Sequence, residues 1–252
     1  MTIDSPRPGQ LPGLRRLWQQ VFGDSDSWLD TFFSIGFCPD RCRCLTPETE
    51  PAAMLYWFDA ELEGRKLAYL YAIATAPEHR GKGFCRSLMA DTHRHLKELG
   101  YDGAILVPAE PSLFAFYSGM GYRTLSTIRE FTACAGDLPL PLRQISPEEY
   151  AALRRELLPS GSVLQEGATL AFLSTQAHFY AGAELLLVAQ WDGERLFVPE
   201  LLGDSDSAPA VLNTLNTERG IFRTPGKGKP FAMGLSFTEA PLPNTYFALA
   251  LD

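Results

Sequence analysis

The stretch Thr75-Ala76-Pro77-Glu78-His79-Arg80-Gly81-Lys82-Gly83-Phe84-Cys85 sets two glycines between cations, where an apolar run gives way to a helical pattern. A helix N-terminus carries unpaired N–H groups and a partial positive charge, so it attracts anions. Gly81 and Gly83 put no Cβ in the way of a diphosphate, and Arg80 and Lys82 add charge. The plain alternative is a basic strand-to-helix turn that uses glycine only for tightness. Two nucleotide motifs do not fit. A dinucleotide fingerprint wants a third glycine where Arg86 stands, and a Walker loop wants Ser or Thr where Gly83 follows Lys82. Further on, Phe116-Tyr117-Ser118-Gly119-Met120-Gly121-Tyr122 offers a phenol, Tyr117, close to a glycine-rich turn.

The elements that must hold these residues follow from periodicity. Leu11 to Val21 and Ser27 to Ile35 are apolar at helical spacing, with Asp24 and Ser25 between them as capping material. Arg43 to Leu45, Ala53 to Phe58 and Lys66 to Ala74 read as strands, the last two joined by a turn at Glu61-Leu62-Glu63-Gly64. The basic turn then feeds a helix, Phe84 to Leu99, whose Phe84, Cys85, Leu88, Met89, Leu96 and Leu99 form one stripe before Gly100. Gly103 to Pro108 reads as a buried strand, Pro111 to Met120 as a short helix opened by proline, and Arg123 to Ala133 as a final strand pair. Strand, helix and strand at this spacing imply parallel pairing in a mixed sheet.

The chain has 252 residues, 22 Lys plus Arg against 30 Asp plus Glu, and a net charge of -8. A basic surface for nucleic acid is absent from that balance. The longest largely apolar run, Leu67 to Ala76, is about half a bilayer span. No apolar leader opens the chain, and the five cysteines show no disulfide pattern, so a cytoplasmic setting is expected. Gly136-Asp137-Leu138-Pro139-Leu140-Pro141 breaks the chain into 1–135 and 136–252. The first part carries 14 basic and 16 acidic residues, the second 8 and 14.

In the second part, Pro147 to Leu157 reads as a helix with Ser146 as N-cap and Glu149 closing a capping box. Leu185 to Trp191 and Leu196 to Leu202 flank Asp192-Gly193 as a hairpin. Ala208 to Asn216 is a helix, and Phe231 to Phe237 and Tyr246 to Leu251 are strands. The order loosely repeats that of the first part.

Arg80 to Cys85, preceded by Pro77, resembles the coenzyme A loop of the GNAT superfamily of N-acetyltransferases, Gln/Arg-x-x-Gly-x-Gly/Ala, with Cys85 departing mildly at the last position. Tyr117 to Tyr122 resembles the Tyr-x-x-x-Gly-Phe/Tyr that ends the following helix in that family. The likeness covers about Leu11 to Ala133. It implies an α/β mixed-sheet acyl-CoA N-acyltransferase fold, followed by a smaller, degenerate GNAT-like domain. It also implies acetyl-CoA as co-substrate, held between splayed strands. Ile73, Ala74 and Thr75 would then meet the pantetheine arm and polarise the thioester carbonyl, and Arg80, Gly81, Lys82, Gly83, Phe84 and Cys85 would hold the diphosphate. Tyr117 matches the family's general acid. Glu110, where many relatives carry Asn, is the candidate base, with helix capping as its alternative. His79 to Gly83, Ala109-Glu110-Pro111 and Tyr117 are also similar to the enhanced-intracellular-survival acetyltransferases. This chain is too short for their third domain, so the role of their terminal carboxylate is not carried to Asp252.

The implied reaction is acetyl transfer to a primary amine of a small molecule or peptide by direct attack. The implied partners are that acceptor and a second copy of the chain, with neither nucleic acid nor membrane. The alternatives are a non-catalytic acyl-CoA-binding or interaction module and, behind it, a nucleotide-binding protein. Other signals have plainer readings. Cys38, Cys42 and Cys44 lack a second ligand pair and read as reduced thiols without a metal. Cys85 could be acidified by its helix N-terminus, but its place in the loop favours packing. His93 and His95 read as surface or edge positions, and Gly226-Lys227-Gly228-Lys229 as a solvated turn.

Overall fold

A computed structural model describes residues 1–193 and 195–251. The first-part strands are β1 (Thr2–Asp4), β2 (Cys42–Thr46), β3 (Ala53–Leu62), β4 (Arg65–Thr75), β5 (Gly103–Leu106) and β6 (Arg123–Thr124). Then come β7 (Thr127–Cys134), β8 (Arg143–Ile145), β9 (His178–Ala181), β10 (Leu186–Asp192), β11 (Arg195–Leu202), β12 (Arg219–Pro225), β13 (Lys229–Pro230) and β14 (Met233–Ser236). The helices are α1 (Leu11–Phe22), α2 (Asp26–Thr31), α3 (Phe84–Glu98), α4 (Pro111–Ser118), α5 (Pro147–Leu157), α6 (Ala168–Leu173) and α7 (Ala208–Thr214).

Local chemistry explains the boundaries. Gly23 closes α1 in the left-handed region, and the Ser25 hydroxyl opens α2 by accepting from Trp28 N at 3.2 Å. β3 and β4 meet through Glu63 and Gly64 alone, both at positive φ, which matches the twist of a two-residue hairpin. The expected turn is therefore shorter and its strands longer than the sequence indicates. Ser146 caps α5, accepting from Glu149 N, but the Glu149 carboxylate goes to Arg143 and leaves the capping box half made.

β4 and β5 pair in parallel, as the strand–helix–strand spacing implies. Two seven-stranded sheets result, in the orders β1-β2-β3-β4-β5-β14-β6 and β13-β7-β12-β11-β10-β9-β8. The chain does not divide between them at one point. β6 and β7, expected as a pair, part company: β6 stays at the edge of the first sheet, while β7 runs antiparallel to β12 in the second. In exchange β14 enters the first sheet between β5 and β6, and β13 edges the second. The two segments cross where Leu125 N and Ser126 N donate to Ala232 O and Phe231 N donates to Ser126 O. Gly103 permits the new strand, because a Cβ there would stand 2.7 Å from Leu235 O.

The expected strand Tyr246 to Leu251 is not regular, yet it is buried throughout. Its backbone polar groups are met by other partners: Val163 N donates to Tyr246 O, Ser126 Oγ to Phe247 O and Gln165 Nε2 to Leu249 O. It thus lies between the sheets. One apolar core, from Trp18, Phe32 and Tyr56 through Phe172 and Phe179 to Phe247, runs across that seam. A second core packs α3 and α4 on the opposite face of the first sheet, and a third packs α7 on the second sheet.

Candidate active site

The long apolar strand β4 is paired with β5 only through Leu67, Ala68 and Tyr69. Beyond Tyr69, β4 keeps β3 alone, and β5 stops at Leu106. The two strands therefore separate toward their C-terminal ends, which is where α/β sheets place ligands. Within the open stretch the β3 register shifts by one residue, and Ala72 takes φ +47°. A bulged alanine in the left-handed region costs about 1 kcal/mol and re-aims the N–H groups that follow it. Ile73, Ala74 and Thr75, the residues expected at a thioester, lie just past this bulge. Nothing in the composition of β4 marks Ala72, so the sequence holds no signal for the bulge.

Thr75 leads into one turn of tight helix, Pro77–His79, and then the glycine turn. Gly81 and Gly83 have φ +74° and +80°, and a Cβ on either would meet nothing within 4 Å. They are required for backbone conformation, and the space they leave is open. Gly83 is the N-cap of α3, so no side chain covers the N–H groups of its first turn. Arg80 Nε donates to Thr75 O at 3.2 Å, and the His79 ring stacks on Phe84 at 5.3 Å. Thr75, His79, Arg80, Gly81, Gly83, Phe84, Cys85, Arg86 and Phe116 line a pocket of ≈ 350 Å³. Thr75 Oγ1 and His79 Nδ1 are buried without a hydrogen-bond partner. Lys82 is exposed and outside this lining.

Tyr117 sits on α4 and is 6% exposed, edge-on to Tyr122 at 5.9 Å. Burial, with a smaller contribution from Cys85, pushes its phenol above the ordinary range, so the proton is retained. Cys85 is pushed up to about 11, first by burial and against the opposing effect of Arg86. Desolvation therefore outweighs the Arg86 charge, and this thiol is not an activated nucleophile. Glu110 is the N-cap residue of α4, but its side chain caps nothing. The carboxylate is exposed, touches Ser112 Oγ at 3.4 Å and does not line the pocket.

Residues 2–125 match the family model described as an acetyltransferase (GNAT) domain. This part of the chain is a GNAT acetyltransferase domain. Solved GNAT structures share the fold across both sheets. A GCN5-related N-acetyltransferase from Kribbella flavida aligns at TM-score 0.70 and 17% identity, covering 93% of this chain and 71% of that one. Eis1 from Mycobacterium abscessus aligns at 0.62 and 14%, over 89% and 66%. A putative acetyltransferase from Pyrococcus horikoshii aligns at 0.62 and 13%, over 99% and 94%. No curated protein matches the sequence.

GNAT enzymes are acyltransferases that take acyl-coenzyme A, and the residues here fit that group. The glycine turn is open where a diphosphate needs room, its N–H groups are uncapped, and Arg80 and Arg86 border the space. Two further features, one lining the candidate site and one near it, escape the sequence reading. Arg86, which only argued against a dinucleotide loop, donates from Nη1 to Gly119 O at 3.0 Å. His93, expected at the surface, is half-buried and lies 2.8 Å from Tyr122 Oη. Its place on α3 opposite an aromatic three residues past Gly119 was the available signal.

The other candidates stay apart from the site. Cys42 and Cys44 are buried on β2, and all five cysteines are free thiols. His95 rests edge-on against Trp57 at 6.2 Å. The Gly226–Lys229 turn is tied down by Lys229 Nζ on Glu130 at 2.6 Å. Asp252 lies outside the described residues.

Proposed function

We propose that the chain is an acetyl-CoA-dependent N-acetyltransferase acting on a primary amine of a small molecule or peptide. The observation that carries this reading is the open β4–β5 cleft, with the glycine turn at one end and the buried Tyr117 phenol beside it. Acetyl-CoA, when bound, supplies a thioester whose acyl carbon is open to attack.

The chain's own groups act around that carbon. Backbone N–H groups past the Ala72 bulge, at Ile73 to Thr75, donate to the carbonyl oxygen as it gains charge, a contribution of about 3–4 kcal/mol per donor. The neutral amine nitrogen would form the new C–N bond and release its surplus proton to water as the C–S bond breaks. The Tyr117 O–H would donate to the sulfur that departs as thiolate. Because burial holds the phenol above the range of a thiol, Tyr117 remains a loaded donor at neutral pH. It stabilises the leaving sulfur by hydrogen bonding and regains from solvent whatever proton it passes on. The ammonium form of an acceptor with pKa near 10.4 must first lose a proton, at a cost of about 4.6 kcal/mol at pH 7. We assign that removal to Glu110 acting through water, since its exposed carboxylate is held only by Ser112.

The test is release of free thiol from acetyl-CoA with lysine, spermidine, tyramine and a lysine-bearing peptide as acceptors. Tyr117→Phe should lower kcat by about 10²-fold, the ordinary worth of a general acid. An unchanged rate would remove Tyr117 from the mechanism. Tight coenzyme A binding with no thiol release on any amine would favour the non-catalytic binding module.

A further inference from the structure

Arg86 stands where the donor turn and the helix of Tyr117 meet. It belongs to the first turn of α3 and borders the pocket of the glycine turn. From there its guanidinium reaches across to the end of α4. Nη1 donates to Gly119 O at 3.0 Å, and the cation lies 5.4 Å from the centre of the Phe116 ring. Gly119 is the residue that closes α4, and Phe116 and Gly119 bracket Tyr117 on that helix. The approach is close at Gly119, where a Cβ would stand 3.2 Å from Arg86 Nη2 and the guanidinium would have to give by a few tenths of an ångström.

These contacts hold α4 from its open end. The helix has eight residues, too few to be rigid alone, and Tyr117 lies in its last turn, where helices fray. The Gly119 carbonyl is one of the acceptors left free at a helix C-terminus, and a cation there also meets the negative end of the helix dipole. The same guanidinium borders the space that a diphosphate would fill. From this geometry we infer that Arg86 is a positioning residue: it ties the coenzyme turn to α4 and so fixes the Tyr117 hydroxyl for the departing sulfur. The inference rests on the acetyltransferase reading above. It assigns Arg86 no contact with the reacting atoms.

A double-mutant cycle in the full chain tests it. The assay measures kcat at saturating acetyl-CoA with whichever amine of the panel reacts fastest, alongside the coenzyme A Kd by calorimetry. Arg86→Ala should lower kcat about tenfold and raise the Kd less than threefold. In a Tyr117→Phe background the same change should lower kcat less than twofold, because the group it positions is gone. Gly119→Ala keeps the charge but crowds the guanidinium, and should lower kcat by less than Arg86→Ala does, with an unchanged Kd. Full additivity of the Arg86 and Tyr117 losses would overturn the inference. So would a large rise in Kd with kcat intact, which would make Arg86 a coenzyme ligand only. If Tyr117→Phe alone leaves kcat unchanged, the site reading itself fails and takes this inference with it. Additivity with a damaging Tyr117→Phe removes only the role of Arg86.

Discussion

His93 allows a quantitative prediction beside the proposed site. Its ring is half-buried on α3, 5.6 Å from the Tyr122 ring and 5.5 Å from Phe237, with Lys97 one turn further along the helix. Burial first, and Lys97 second, lower its pKa from 6.5 to about 4. Tyr122 is itself buried, which raises its pKa and keeps its phenol protonated, so the O–H donates to a neutral Nε2 at 2.8 Å. Below pH 6.5 the unfolded chain binds a proton at His93 that the folded chain refuses. The stabilisation is therefore complete above pH 6.5 and lost as the pH falls through about 4. By linkage the loss is about 2 kcal/mol at pH 5 and approaches about 3 kcal/mol below pH 4.

Other groups titrate across the same range, so the measurement is a difference. Urea unfolding followed by tryptophan fluorescence, at pH 7.5 and pH 5.0, should be compared between the native chain and His93→Gln. Glutamine can still accept from Tyr122 but does not titrate. The native chain should lose about 2 kcal/mol more than the variant over this interval. Equal losses in the two proteins would show that His93 is not desolvated.

Three other outcomes follow from the described contacts. Glu200→Gln should destabilise the chain by about 3–5 kcal/mol in urea, because it leaves the fully buried Arg154 without its carboxylate partner at 2.6 Å. Gly83→Ala puts a side chain at φ +80°, where it costs about 1 kcal/mol; calorimetry should show coenzyme A bound roughly tenfold more weakly, while the thermal midpoint moves by only a few degrees. Iodoacetamide at pH 8, read by mass spectrometry, should label exposed Cys134 and spare Cys85, whose thiol burial holds at about 11; rapid labelling of Cys85 would contradict that burial.

The features written in local chemistry were legible in the sequence. The glycine turn, α3 with its apolar stripe, the parallel β4–β5 unit and the hairpin at Asp192-Gly193 all depend on spacing within a few residues, and all are present, except that Leu99, expected to end the stripe, lies past α3 and is exposed. What failed depends on partners far along the chain. Arg123 to Ala133 has the alternation of a hairpin, and nothing in it announces that β7 will pair with β12, some ninety residues further on. Tyr246 to Leu251 is apolar enough for a strand. Its backbone is instead satisfied by Val163, Ser126 and Gln165, and its burial comes from lying between two sheets. At the candidate site, the loop residues were legible because glycine and cation spacing is itself a local pattern. The Ala72 bulge was not, since its conformation is imposed by register against β3 and not by residue type.

The second sheet shows how much of the site lies in one turn. β11, α7 and β12 repeat the crossover of β4, α3 and β5, and β11 and β12 also pair in parallel over three residues before separating. Each sheet then receives its next strand, β7 or β14, from the other half of the chain. The backbone plan of that opening is thus present twice. Between β11 and α7, however, the chain reads Gly203-Asp204-Ser205-Asp206-Ser207, with carboxylates where the first turn has Arg80 and Lys82. Asp204 Oδ1 accepts from Asp206 N at 2.9 Å, and Ser207 Oγ donates to Asp204 O at 2.6 Å, so this turn caps itself. Pro209 removes another N–H from the start of α7. A diphosphate would meet repulsion and occupied donors there, in place of open N–H groups and cations. On the proposed function, the two crossovers share a topology, and among the described residues only the turn at 80–86 offers a diphosphate open N–H groups beside cations.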